Sequence, residues 1–150
     1  MLLATAGFVV AVTAPTLATV EVARLLAQRD TRLEARDWIL ANLRPGARLA
    51  REFYAPPLRE RDGFRLMQPF SLTDHSLETY CRDGVDYLLL SSLNARRYLA
   101  SDEQRFAEER AWYDRLEQNT RLVHRVAGRG NLERHHPTIE VRSLYCGTNR

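Results

Sequence analysis

The sequence predicts an α/β fold, a small mixed-sheet sandwich with flanking helices, preceded by one N-terminal transmembrane helix. Three observations predict it. From residue 30 onward, segments of helical and strand period alternate with turn residues between them. One of these, DYLLLSS at 86–92, is a continuous apolar run bounded by turn signals, the pattern of a strand buried on both faces. The first twenty residues carry no charged side chain, and as a helix they span ~30 Å, the hydrocarbon thickness of a bilayer.

The apolar run contains Thr5, Thr13, Thr16, Thr19 and Pro15, which a membrane helix tolerates where neighbouring helices satisfy its backbone. A cleaved signal peptide is the alternative, but no Lys or Arg precedes the run to form its positive end. A continuous helix is expected over 1–28, with the folded domain at 29–150. Thr31 and Glu34 have the spacing of a capping box, and Ala35, Trp38, Ile39 and Leu43 then recur on one helical face until Pro45-Gly46 ends the helix. ARLAREFY (47–54) follows as a strand, which proline stops at APPL. The two Arg-Asp-Gly tripeptides, at 61–63 and 82–84, mark turns or helix exits.

FRLMQPF (64–70) reads as a short strand, and Leu77, Tyr80 and Cys81 give one face of a helix that Gly84 terminates. Ser101 and Gln104 offer a second capping box, opening a helix that carries Phe106, Trp112, Tyr113 and Leu116 into the core. RLVHRVA and TIEVRSLY are two further strands joined by the polar loop GRGNLERHHP.

Composition excludes several chemistries. All 22 basic residues are arginine, so a Walker phosphate loop, a Schiff base and a lysine nucleophile are absent from this sequence. Between Ser91 and Arg134, nine arginines interleave with seven acids, which predicts a solvated face rather than a nucleic-acid stripe. His124, His135 and His136 lack the helical spacing of a metal motif and are expected to be ordinary strand and loop histidines. Adjacent Glu108 and Glu109 point about 100° apart on a helix and cannot face each other as a catalytic pair. Cys81 and Cys146 make no disulfide framework or metal motif; a bridge between them requires an oxidising compartment, and a buried unpaired Cys81 is the expected state. No catalytic residue, cofactor site or metal site is assigned.

Binding residues are expected where the strands end. The helix from Thr31 and the strand from Arg48 to Tyr54 are each ~20 Å long, and the tight Pro45-Gly46 turn makes them antiparallel. The helix start therefore lies beside the carboxyl ends of this strand and its parallel neighbours. The apolar run feeds that start, so this edge faces the membrane. It is also the edge where open α/β sheets hold ligands. Tyr54, Ser91, Ser92 and Asn94 lie on it and are the candidate binding residues; the alternative is that these segments are simply a proline-stiffened loop and a helix cap.

The order of an apolar segment, LLAQRDTRLEARDWILANLRPGARLA, YAPPL, VDYLLLSS, FAEERAWYDRLE and HPTIEVRSLY resembles the C-terminal region of bacterial membrane glycosyltransferases of the dolichyl-phosphate-mannose protein mannosyltransferase-like superfamily. The resemblance spans essentially the whole chain. It implies a last transmembrane helix followed by an extracytoplasmic α/β domain, attached to an upstream transmembrane body that transfers a sugar from a polyprenyl-phosphate donor. The family's catalytic acid lies in an early loop with no counterpart in this sequence, so the chain is expected to be an accessory region, inactive alone.

The alternative is a membrane-tethered binding or interaction module without a catalytic role; a secreted hydrolase using the histidines is a third reading. Arg24, Arg29, Arg32 and Arg36 follow the apolar run, and for a single-span protein the positive-inside rule would put the domain in the cytoplasm. Upstream helices would override that rule.

Overall fold

The computed structural model describes residues 27–129 and 135–146, together with 19, 23 and 24. The expected span at 1–28 lies almost wholly outside the described residues, and among these no helix is long and apolar enough to cross a membrane.

Helix α1 runs over Thr31–Asn42. Its cap corrects the expected Thr31–Glu34 box: the Asp30 carboxylate accepts the Arg32 N–H at 2.8 Å. A charged acceptor at a helix N-terminus satisfies an orphan donor and complements the dipole, which a hydroxyl does less well. Thr31 is fully buried and donates instead to the Pro137 carbonyl at 2.6 Å, while Glu34 pairs with Arg129. Ala35, Ile39 and Leu43 face the sheet as their spacing predicts, and burying a side chain such as Ile39 contributes about 1.5–3 kcal/mol.

Gly46, at φ 80°, makes the reversal out of α1 in a region that disfavours residues with a Cβ. Strand β1 then covers Arg48–Arg51 and stops short of the expected Tyr54, because the backbone turns there: the Ala55 N–H returns to the Glu52 carbonyl at 3.1 Å. Strand β2 is Arg65–Met67 and β3 is Tyr87–Ser91. Between them helix α2, Leu77–Arg82, starts at a Ser76 cap and buries Leu77 and Tyr80.

Two departures follow β3. Helix α3, Ser92–Leu99, is signalled in the sequence only by the helix-cap reading of residues 91–94, because Arg96 and Arg97 interrupt its apolar spacing; it is capped by the Ser91 hydroxyl and buries Asn94 and Tyr98. Helix α4, Ala107–Asn119, begins after a 3-10 turn at Gln104–Phe106, so the Ser101–Gln104 capping box does not form. The Ser101 hydroxyl accepts from the Glu103 N–H at 3.3 Å instead. Trp112, Tyr113 and Leu116 are buried as expected. Strands β4, Thr120–Val126, and β5, Ile139–Leu144, close the chain, with a register shift between Leu122 and His124.

The five strands form one sheet in the order β2-β1-β3-β5-β4. β2, β1 and β3 are parallel, β5 is antiparallel to β3, and β4 is antiparallel to β5. Helices cover both faces. Leu89 points into a cluster with Ile39, Leu49 and Val141 beneath α1, while Leu88 and Leu90 point into the opposite cluster with Leu72, Tyr80 and Trp112.

Cys81 is not free: it is bonded to Cys146, with Cα atoms 5.2 Å apart. Topology brings them together. The Leu144 N–H donates to the Asp86 carbonyl at 3.3 Å, so the chain leaving β5 passes the exit of α2. Two residues distant in sequence thus share the amino-terminal end of β3.

Replacing Leu89 by Asp buries an unpaired carboxylate at a fully enclosed position and should destabilise the domain by several kcal/mol. The denaturant midpoint reports it, and a midpoint equal to the parent's would contradict the central position of β3.

Candidate functional site

Glu52 follows the last residue of β1 and is fully buried at the carboxyl edge of the sheet. From β1 the chain moves outward to β2, whereas from β3 it moves the opposite way towards β5 and β4. The carboxyl ends of β1 and β3 therefore form a topological switch point, where parallel strands leave a crevice between diverging connections. Glu52 occupies it, and its Oε1 accepts the Ser91 N–H at 2.6 Å, joining the two strand ends.

Burial pushes the Glu52 carboxyl from its ordinary 4.5 up to about 7; the Ser91 N–H, the Asn94 amide and the Leu72 N–H oppose that rise, and the negative charge of Asp74 adds to it. Its Oε2 has no hydrogen-bond partner. Tyr80, which donates to the Leu72 carbonyl at 2.9 Å, and Tyr113 stand close enough to feel the Glu52 charge; burial first, and that charge second or third, raise both phenols well above their ordinary value.

The four residues expected to bind separate into three groups. Ser91 and Asn94 are buried with Glu52: Ser91 through its N–H, and Asn94 through its amide, which also donates to the Phe70 carbonyl at 3.3 Å. Ser92 binds the chain itself, its hydroxyl accepting the Thr138 N–H at 3.0 Å and its own N–H donating to the Thr138 carbonyl at 2.9 Å. Tyr54 stands apart at the surface, packed edge-on against Phe53 with ring centroids 5.0 Å apart.

Two clefts flank the switch point. One, of about 340 Å³, is lined by Arg51, Glu52, Phe53, Gln68, Pro69 and Phe70, and Arg51 Nη2 donates across it to Gln68 Oε1 at 2.7 Å. The other, of about 470 Å³, lies between α3, α4 and β5, with Ser91, Ser92, Tyr113 and Glu140 among its walls. Both are large enough for a small polar ligand. The Glu52 carboxyl is fully enclosed, so beneath these clefts it joins the two strand ends.

Sequence reading missed Glu52. Its one signal was an acid directly after an apolar strand and before a proline stop, at the same edge as Ser91.

The histidines do not converge. His124 stacks on Trp38 with centroids 4.1 Å apart, and burial lowers its pKa. His136 is buried rather than an ordinary loop residue, because the chain entering β5 packs against the start of α1. Among the described residues, no group of three or more His, Cys, Asp or Glu side chains is placed to hold a metal ion.

Compared with family models, curated proteins and solved structures, the chain matches none.

The Glu52 carboxyl gives a signed pH prediction. Its folded pKa lies above the unfolded one, so its contribution to stability is greatest below 4.5 and declines as pH rises through about 7. The decline amounts to roughly 3 kcal/mol if the full shift is realised. Glu52→Gln keeps an acceptor for the Ser91 N–H and carries no charge. The variant should match the parent near pH 4.5 and exceed it in stability at pH 8, as read by denaturant melts at the two pH values.

Proposed function

We propose that this chain is the C-terminal accessory region of an integral membrane glycosyltransferase that uses a polyprenyl-phosphate-linked sugar, with residues 29–150 on the extracytoplasmic side. The order of sequence segments supports the glycosyltransferase assignment by resemblance. The Cys81–Cys146 disulfide carries the assignment of the side, because such bonds persist in oxidising compartments and are rare in the cytoplasm. The bond opposes the orientation suggested by Arg24, Arg29, Arg32 and Arg36, and fits a protein whose upstream helices set the topology.

In this reading the upstream transmembrane body holds the catalytic acid and the lipid-linked donor. The domain contributes the clefts beside Glu52 and Ser91, which open towards the membrane next to the body's outer face. A membrane-tethered, non-catalytic binding module is the alternative, favoured by the same clefts without the upstream body.

An antibody against the domain separates the two. From native membranes it should capture an integral membrane protein well above 17.3 kDa that transfers labelled sugar from a polyprenyl phosphate. An antigen of 17.3 kDa without transfer activity would establish the tethered module instead.

Orientation has its own test. Thiol trapping with a membrane-permeant maleimide in intact cells should find Cys81 and Cys146 unreactive until a reductant is added. Immediate labelling of both would place the domain in a reducing compartment.

A further inference from the structure

The most exposed aromatic side chains at the sheet's carboxyl edge form one cluster. Phe53 is 64%, Phe70 55% and Tyr54 40% exposed. Phe53 stacks on Phe70 at 5.7 Å and meets Tyr54 edge-on at 5.0 Å. Phe53 and Tyr54 follow β1, and Phe70 follows β2 beyond Gln68-Pro69, so two adjacent parallel strands deliver their rings to the same place. Pairing between the Phe53 N–H and the Phe70 carbonyl at 3.3 Å holds the two segments together. Contiguous exposed apolar groups rimmed by polar ones mark an interaction surface, and Arg51 and Gln68 supply that rim.

What covers it follows from where the chain enters. Thr31, the first residue of α1, is bound to the Pro137 carbonyl, next to Thr138, which pairs with Ser92 at the carboxyl end of β3. Adjacent strands lie ~4.8 Å apart, so this entry point is only two or three strand spacings from the aromatic cluster, along the same edge. In the sequence only residues 21–30 separate the uncharged first twenty from Thr31, so the chain passes from that run to the edge that presents the rings.

We propose that Phe53, Tyr54 and Phe70 seat this edge in the headgroup region of a lipid bilayer. The inference rests on the membrane-anchored reading above and adds the domain's orientation. Aromatic rings settle at the membrane interface, and a hydroxyl such as that of Tyr54 remains among the headgroups. The Arg51 guanidinium beside them lies at the height of the lipid phosphates. Facing the bilayer, the cleft between Arg51, Gln68, Phe53 and Phe70 opens onto the polar part of a lipid, a phosphate or a lipid-linked sugar.

Full chains carrying Phe53→Trp, Phe70→Trp or, at the opposite edge, Tyr145→Trp can be reconstituted in neutral phosphatidylcholine vesicles, with part of the lipid brominated at the upper end of its acyl chains. The parent's own Trp38 and Trp112 emission is subtracted. Tryptophan at 53 and 70 should lose most of its added emission to bromine and tryptophan at 145 little. Flotation in a density gradient is measured on the same samples. Chains that float but show weak quenching at 53 and 70, or equal quenching at all three positions, would overturn the docking edge and leave the anchor standing. Chains that do not float would overturn the anchored reading and the docking edge with it.

Discussion

The enclosure of β3 is the constraint on which the remaining structure depends. It pairs with β1 on one side and β5 on the other, and its consecutive leucines feed two separate hydrophobic clusters. A strand in this position has no free edge and no solvated face, so both helical layers are required to cover it. Because the chain leaves β1 outward to β2 and leaves β3 the opposite way towards β4, it also diverges at their carboxyl ends. The crevice at Glu52 is a consequence of that divergence, which exists before any ligand is considered.

Glu52 fits this crevice at an energetic cost. Its carboxyl accepts one short hydrogen bond from Ser91 yet leaves an oxygen without a partner, in a site where burial outweighs the groups that favour its charge. An apolar residue of similar size would relieve the burial but would leave the Ser91 N–H unsatisfied between two strand ends. The acid therefore ties the ends of β1 and β3 together while remaining close to neutral pH in its titration. Arg142 offers a contrast: also buried, it is matched by Glu140 and Glu117 and by the Thr120 hydroxyl, so its charge is compensated. Glu52 is the deeper of the two and the less well paired.

Periodicity made the central strand, the strand pair at the end and the aromatic face of α4 legible in the sequence. Those features follow from where apolar side chains recur, which local spacing records. Features decided by tertiary partners were not legible. Asp30 displaced Thr31 as the cap of α1 because Thr31 found a carbonyl some hundred residues away. Helix α3 buries only Asn94 and Tyr98, too few for an apolar period to show between its arginines. The disulfide depends on β5 returning past α2, a fact of topology rather than of cysteine spacing. At the edge, Ser91 and Asn94 lie beside Glu52, which was hidden inside an assumed longer strand.

The two ends of the sheet are chemically unlike, and that asymmetry bears on how such a domain would sit on a membrane protein. At the amino end of β3, the Cys81–Cys146 bond closes the chain beside Asp86 and Leu144. At the carboxyl end lie the entry to α1, the buried acid and three exposed aromatic rings. A covalent bond at one end limits how far the end of β5 can separate from α2, while its own ladder sets the register of β5 on β3. That register fixes Thr138 against Ser92, and Thr138 follows the carbonyl that anchors Thr31. The start of α1 is thus held in place through β5. The start of α1 and the clefts on either side of Glu52 therefore share the carboxyl edge of one sheet.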